Sequence, residues 1–72
     1  GQIVSPMYGI ISQINVFKND QVSKGDCLLI LEAMKMQHEI SAHIDGIIEN
    51  IDVDEGSQVS SGDLLLSISS KH

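Results

Sequence analysis

The 72-residue chain carries 4 Lys and Arg against 10 Asp and Glu, a formal net charge of −6, and 42% of its residues are hydrophobic. This length suffices for one small domain, and so few cations argue against binding to nucleic acid or to an anionic membrane surface. The chain has neither an apolar run of ~20 residues nor a basic start followed by an apolar core, so we expect no membrane span and no signal peptide.

The chain matches itself without a gap when it is shifted by 37 residues. The matching pairs include Gly9-Ile10-Ile11 with Gly46-Ile47-Ile48, Gln21-Val22 with Gln58-Val59, and Leu28-Leu29 with Leu65-Leu66. We interpret residues 1–72 as a single domain built from two copies of one supersecondary unit, at about 3–35 and 40–72. Each copy is too small to bury its own apolar face, so the two faces are expected to pack about a pseudo-two-fold axis.

Short strands separated by turns are predicted along both copies. In chain order they cover residues 3–4, 10–16, 21–22 and 27 to about 34, then 40–41, 47–53, 58–59 and 64–68. Ile14 and Val16 alternate with polar residues, as in a half-buried strand. A uniform strand cannot place Ile11 and Ile14 on one face, which predicts either a β-bulge or burial on both faces near Ser12.

The predicted turns fall at 18–20, 25–26, 55–57 and 62–63. Asn19 stands where the second copy has Gly56, and both residue types tolerate left-handed backbone. No segment keeps a helical apolar stripe for three turns, and turn clusters recur at short intervals. The fold class is therefore predicted to be all-β, a sandwich or flattened β-barrel.

Cys27, two histidines and the acidic residues at 52–55 are considered as candidate sites, and we expect each of them to have a structural role or to be simply exposed. Cys27 lies within an apolar run and is expected to pack as a small hydrophobe, and a lone thiol fits a reducing compartment. His38 and His43 lack a third ligand for zinc and are expected to be satisfied or exposed. The acidic residues at 52–55 lack the spacing of an EF-hand and are read as a solvated turn.

The segment Glu32-Ala33-Met34-Lys35-Met36 joins two extended stretches, and no Gly, Pro, Asn or Asp marks a loop between them. If both sides are strands, Met34 and Lys35 must reverse the chain themselves. A two-residue hairpin turn of the favoured hand needs positive φ at its central positions, which is strained for these residues. The turn would present the Lys35 amine at a protruding tip.

This segment resembles the biotin attachment motif of biotinyl carrier domains, including biotin carboxyl carrier proteins, at all five positions. The resemblance extends from about Val4 to Ile68 and includes Ser5-Pro6-Met7, which we expect to lie near the barrel without a chemical role. It implies two four-stranded antiparallel sheets related by a pseudo-two-fold axis. The symmetry of the duplication adds that the tip and the chain termini lie at opposite ends of the barrel, since residue 72 is the equivalent of Lys35.

The resemblance implies that a biotin protein ligase attaches biotin to Lys35, in preference to Lys18, Lys24 and Lys71. Glu32, Ala33, Met34 and Met36 would then be the residues that the ligase recognises. The biotin would carry CO2 between a biotin carboxylase and a carboxyltransferase, while the domain itself catalyses nothing. We expect the isolated domain to be monomeric. Its compartment would be the cytoplasm, or the mitochondrial or plastid matrix if it belongs to a larger eukaryotic protein.

Two other functions share the same fold. A lipoyl carrier would use an equivalent tip lysine, although such domains usually have Asp-Lys-Ala at the tip. An unmodified interaction module is the third possibility. The first half has no room for the protruding thumb of some acetyl-CoA carboxylase carriers. The chain therefore looks more like the carriers of pyruvate, propionyl-CoA and related acyl-CoA carboxylases, of biotin-dependent decarboxylases, or a small free-standing carrier.

Overall fold

The computed structural model describes residues 1–70, which form two four-stranded antiparallel sheets. The strands are β1 (Gln2–Val4), β2 (Gly9–Ile14), β3 (Gln21–Val22), β4 (Cys27–Ala33), β5 (Met36–Ser41), β6 (Gly46–Ile51), β7 (Gln58–Val59) and β8 (Leu64–Ser70). One sheet has the order β1-β8-β6-β3 and the other the order β5-β4-β2-β7. The all-β prediction is confirmed, and the two sheets are compatible with a flattened barrel. Over the described range, no helix has the length and hydrophobicity that a bilayer-crossing segment requires.

The sequence duplication is reproduced in the topology. Adding 37 to the first residue of β2, β3 or β4 gives the first residue of β6, β7 or β8. The same shift exchanges the two sheet orders, with β1 corresponding to β5. Each sheet therefore contains two strands from each half. Neither half forms a four-stranded sheet by itself, because each sheet is completed by strands of the other half.

The main strands end earlier than the alternating pattern predicts. β2 and β6 stop at Ile14 and Ile51, two residues before the predicted ends at Val16 and Val53. Beyond these points the chain crosses to the other sheet, where the Asn19 amide donates to the Ile48 carbonyl at 2.7 Å. Val16 lies outside the strand but is still buried, so the alternation of buried and exposed side chains extends beyond the end of β2.

The predicted β-bulge is confirmed in β2 and repeated in β6. The register of β2 against β4 shifts between Ile11 and Gln13, and that of β6 against β8 shifts between Ile48 and Asn50. The bulge lets Ile11 point into the core while the strand changes face. β8 runs two residues beyond the predicted end at Ile68, because Ser69 and Ser70 still pair with β6.

The core is formed almost entirely by aliphatic side chains from both sheets. Nine of them have an exposed fraction of 2% or less: Ile3, Ile11, Leu28, Leu29, Leu31, Ile48, Leu65, Leu66 and Ile68. Ser5 is also buried and satisfies its hydroxyl by donating to the Met7 carbonyl at 2.6 Å, so the 5–7 segment lies against the barrel as expected. Cys27 is a free thiol and only half-buried, so it packs less deeply than predicted.

The turn at Asn19 offers a test of backbone strain. Asn19 has a φ of +78° and Gly56, its equivalent, has a φ of +92°. Asn tolerates this region better than Ala, so Asn19→Ala is expected to lower the free energy of unfolding by about 1 kcal/mol. Asn19→Gly should leave stability unchanged or slightly raised, and urea denaturation of both variants measures the difference. Equal stability of the two variants would contradict this explanation of the turn.

Candidate functional site

The hairpin between β4 and β5 is the most exposed point of the predicted site. Ala33 pairs with Met36, so Met34 and Lys35 alone make the reversal. Their φ angles are +53° and +64°, the signature of a type I′ turn. Lys35 is exposed, and Met34 is 87% exposed. The predicted reversal is therefore confirmed in its length and in its backbone conformation.

This turn is held in place by the strands on both sides of it. Left-handed backbone costs roughly 1–2 kcal/mol for each residue with a side chain. Against that cost, β4 and β5 pair over six residue pairs, from Cys27 with Ser41 to Ala33 with Met36. β4 is also paired on its other edge with β2. A strained turn persists where its surroundings determine the conformation in this way.

Ala33 and Gly9 support the turn from below. Ala33 is only 5% exposed, and a Cβ atom on Gly9 would lie 3.1 Å from the Ala33 Cβ and 2.6 Å from the Glu32 carbonyl oxygen. The backbones of β2 and β4 can approach this closely only because residue 9 lacks a side chain. From the sequence, Gly9 was recognised only as part of the internal repeat, and this role was not predicted. Its recurrence as Gly46 was the available signal.

The side chains of the five predicted site residues differ in how far they are exposed to solvent. Met34 and Met36 are 87% and 63% exposed, which is unusual for methionine in a small domain. Glu32 is exposed and lies in register with Gln37 on one side and Ile10 on the other. Ala33 faces inward instead. Besides Lys35, the exposed side chains of the motif are therefore two flexible thioethers and one carboxylate.

The other candidate residues do not form a second site near the tip. Residues 1–70 contain no group of three or more His, Cys, Asp or Glu side chains that could hold a metal ion. His43 is exposed, as expected. His38 differs, because it is partly buried and its Nε2 atom has no hydrogen-bond partner. Lys18 and Lys24 are exposed on loops, whereas Lys71 and residue 72 lie outside the described part of the chain.

Chemically, the tip offers one primary amine on a protruding and rigid reversal. An enzyme can enclose such a hairpin from both sides, which it cannot do with a lysine on a flat sheet. The four-carbon stem of lysine also gives reach to any group that is joined to its Nζ atom.

Comparison with known proteins places the chain in a defined group. A family model described as "Biotin-requiring enzyme" matches residues 1–68. The chain is 49% identical over 45 residues to the mitochondrial methylcrotonoyl-CoA carboxylase subunit alpha of Dictyostelium discoideum, covering 62% of this chain. It is 58% identical over 38 residues to the glutaconyl-CoA decarboxylase subunit gamma of Acidaminococcus fermentans, covering 53% of this chain. The matched regions are 6% and 26% of these two relatives.

Solved structures agree with the fold. The Kluyveromyces lactis urea carboxylase matches 96% of the chain with a TM-score of 0.90 and 29% sequence identity. A single-chain, multi-domain long-chain acyl-CoA carboxylase matches 92% of the chain with a TM-score of 0.87, also at 29% identity. The matched regions are 6% and 7% of those much longer chains. The two-sheet architecture of this chain thus occurs within large carboxylases.

Proposed function

The chain belongs to the biotin/lipoyl family of biotin-requiring enzymes, and from this premise we propose that it is a biotin carboxyl carrier domain modified on Lys35. The observation that carries the proposal is the two-residue reversal at Met34 and Lys35, with positive φ at both positions. It presents one exposed amine inside a five-residue attachment motif. The rest of the described chain serves as the scaffold that holds this turn.

The proposed modification is an amide between the valerate carboxyl of biotin and the Lys35 Nζ atom. It removes the charge of the amine and creates a long, flexible arm. The bound biotin accepts CO2 at a biotin carboxylase site and releases it at a carboxyltransferase site. The domain contributes no catalytic group to either step. It supplies the effective concentration that tethering provides, while the cofactor brings the chemistry.

The parent protein is proposed to be a biotin-dependent carboxylase or decarboxylase, as a multi-domain chain or a multi-subunit complex. This follows the relatives, which are named as carboxylases and as a decarboxylase subunit. We propose that the isolated domain is monomeric, since a net charge of −6 on a small surface opposes self-association. The proposed compartment is the cytoplasm, or an organelle matrix as for the mitochondrial relatives.

The ligase is proposed to recognise the tip through Met34, Met36 and Glu32. The methionines are exposed and adaptable, and they flank Lys35 in the sequence. Ala33 contributes differently, because its buried side chain packs beneath the turn against Gly9. Recognition of the motif would then combine three contacting side chains with one that maintains the backbone.

Truncation of the methionines tests whether these side chains contact the ligase or support the fold. Met34→Ala and Met36→Ala are each expected to lower kcat/KM for biotinylation by about 5- to 50-fold, the range for loss of a side chain from an interface anchor. Both side chains are exposed, so the free energy of unfolding should change by less than about 0.5 kcal/mol. Initial rates with purified ligase, together with urea denaturation, give both quantities. A variant that loses stability as well as rate would point to a structural role instead.

Intact-mass spectrometry tests the proposed function. The domain is incubated with biotin protein ligase, ATP and biotin, and its intact mass should rise by one biotinyl group. Peptide mapping should place that group on Lys35. Protein purified from its native source separates the alternatives: a lipoyl increment would establish the lipoyl carrier, and an unchanged mass with competent ligase present would favour an interaction module.

A further inference from the structure

The two aromatic residues of the chain, Tyr8 and Phe17, are both on the surface. Tyr8 is 59% exposed and Phe17 is 78% exposed. At the equivalent positions, 37 residues later, the second half has Asp45 and Asp54. Three of the four equivalent strand pairs (β2 and β6, β3 and β7, β4 and β8) have equal lengths, and the bulge of β2 recurs in β6, so the backbone accepts an aspartate at each position. The fold therefore does not require an aromatic residue at either place.

Phe17 stands at the wall of a groove of about 460 Å3, between the ends of β2 and β6. The groove is lined by two equivalent pairs, Ile14 with Ile51 and Val16 with Val53. It therefore lies where the two halves meet. Except for Val16, these aliphatic side chains are only partly buried. The groove therefore has an aliphatic part, and the exposed aromatic ring of Phe17 belongs to its lining.

The groove also has an acidic part. Asp54 and Glu55 line it. The Glu55 Oε2 atom accepts a hydrogen bond from the Ile14 amide at 3.0 Å, which holds this carboxylate at the rim. The whole chain carries a net charge of −6, so a second copy would be repelled from the groove. An occupant must supply both an apolar side chain and a positive charge.

We propose that this groove is a docking site for a segment of a partner polypeptide that presents an apolar side chain next to Lys or Arg. The apolar side chain packs between Phe17 and the aliphatic floor, and the cation faces Asp54 and Glu55. Anchors that become buried at the centre of an interface carry most of the binding energy, and complementary charges contribute specificity and association rate.

The position of the groove makes it distinct from the tip. Ile14 pairs with Leu29, whereas the turn begins after Ala33. Four residues of extended strand separate these points by about 13 Å. A partner bound in the groove would leave Lys35 exposed. Docking there can therefore hold the domain without occluding its modified lysine, and it does not depend on the modification.

A matched peptide series tests the proposal. The 15N-labelled 72-residue chain is titrated to about 10 mM, a range that resolves millimolar affinities, with capped peptides SLKLRS, SLELES and SSKSRS. Saturable amide shifts at Val16, Phe17 and Asp54 are expected only with SLKLRS. Phe17→Asp should weaken binding at least about tenfold. Asp54→Asn should weaken it by about two- to fivefold, as for an exposed charge.

The Phe17→Asp variant is a favourable control because it gives the first half the residue that the second half already has. It should fold and should still be biotinylated on Lys35 at the wild-type rate. Three results would overturn the proposal: no saturable shift with SLKLRS, equal binding of SLELES, or binding that Phe17→Asp leaves unchanged. A Phe17-dependent slowing of diffusion of the unliganded domain at high concentration would also overturn it, since a second copy would then fill the groove. Failure of biotinylation in the wild-type chain would refute the carrier function but would not affect the docking proposal.

Discussion

Lys35→Arg is expected to abolish biotinylation of the domain entirely. Arginine preserves the positive charge and a long side chain, but its guanidinium stays protonated and is not an acceptor for an acyl group. The residue is exposed at a turn that is determined by the strands around it, so the fold should be unaffected. Intact-mass measurement after incubation with ligase, ATP and biotin should show only the unmodified mass.

Two other lysines provide the matched controls. Lys18 and Lys24 are also exposed, but they lie on loops outside the β4–β5 hairpin. Lys18→Arg and Lys24→Arg should each leave biotinylation complete. Full modification of the Lys35→Arg protein, or loss of modification in either control, would contradict the assignment of the attachment site. The comparison separates selection by shape from general lysine reactivity, which all three side chains share.

Gly46→Ala is expected to lower the free energy of unfolding by about 3 kcal/mol, at the upper end of the range for overpacking. An added Cβ atom would collide with the Ser69 carbonyl oxygen and would lie 2.7 Å from the Cγ2 atom of Ile68. Both contacts belong to β8, the strand that pairs with β6 in the core. The two strands would have to separate, since a backbone oxygen cannot rotate away as a flexible side chain can. Urea denaturation measures the loss.

Gly62→Ala is the control for this prediction, because it adds the same methyl group at a glycine where no other atom is close. Gly62 has a φ of +88°, and an added Cβ atom there would meet nothing within 4 Å. Only backbone strain opposes the change, and it should cost about 1 kcal/mol. If Gly62→Ala proved as costly as Gly46→Ala, the collision with β8 would not be the reason that Gly46 is needed.

The equivalent glycine in the first half links stability to the site. Gly9 lies against the Glu32 carbonyl oxygen and the Ala33 side chain, directly below the turn. The same close approach occurs at Gly46 in the half that carries no Lys35 hairpin. The glycine is thus a requirement of the duplicated architecture. In the first half, the same close approach lies beneath the Met34–Lys35 turn.

Much of the site could be predicted because its determinants are local in the chain. Two extended stretches with no loop residue between them leave Met34 and Lys35 to reverse the chain, and both have the positive φ that this requires. The spacing of Ile11 and Ile14 predicted the bulge for a similar reason, since a strand alternates its faces every residue.

The rest depended on contacts between residues that are far apart in the chain. The inward orientation of Ala33 follows from the approach of Gly9, and the exposure of Phe17 beside the groove follows from the meeting of β2 and β6. His38 was expected to be satisfied or exposed, yet its Nε2 atom is buried without a partner, which no local pattern indicates.

The duplication, the bulge and the two-residue reversal that carries Lys35 could be predicted from the residues alone. The duplication is a repeat of the sequence itself, and the bulge and the reversal each depend on residues within one strand or turn. The folded chain was needed to show that each sheet takes two strands from each half, that β2 and β6 end two residues early, and that Gly9 lies beneath the turn. These features are pairings between distant segments, and strand alternation specifies which face is buried but not which strand it will meet.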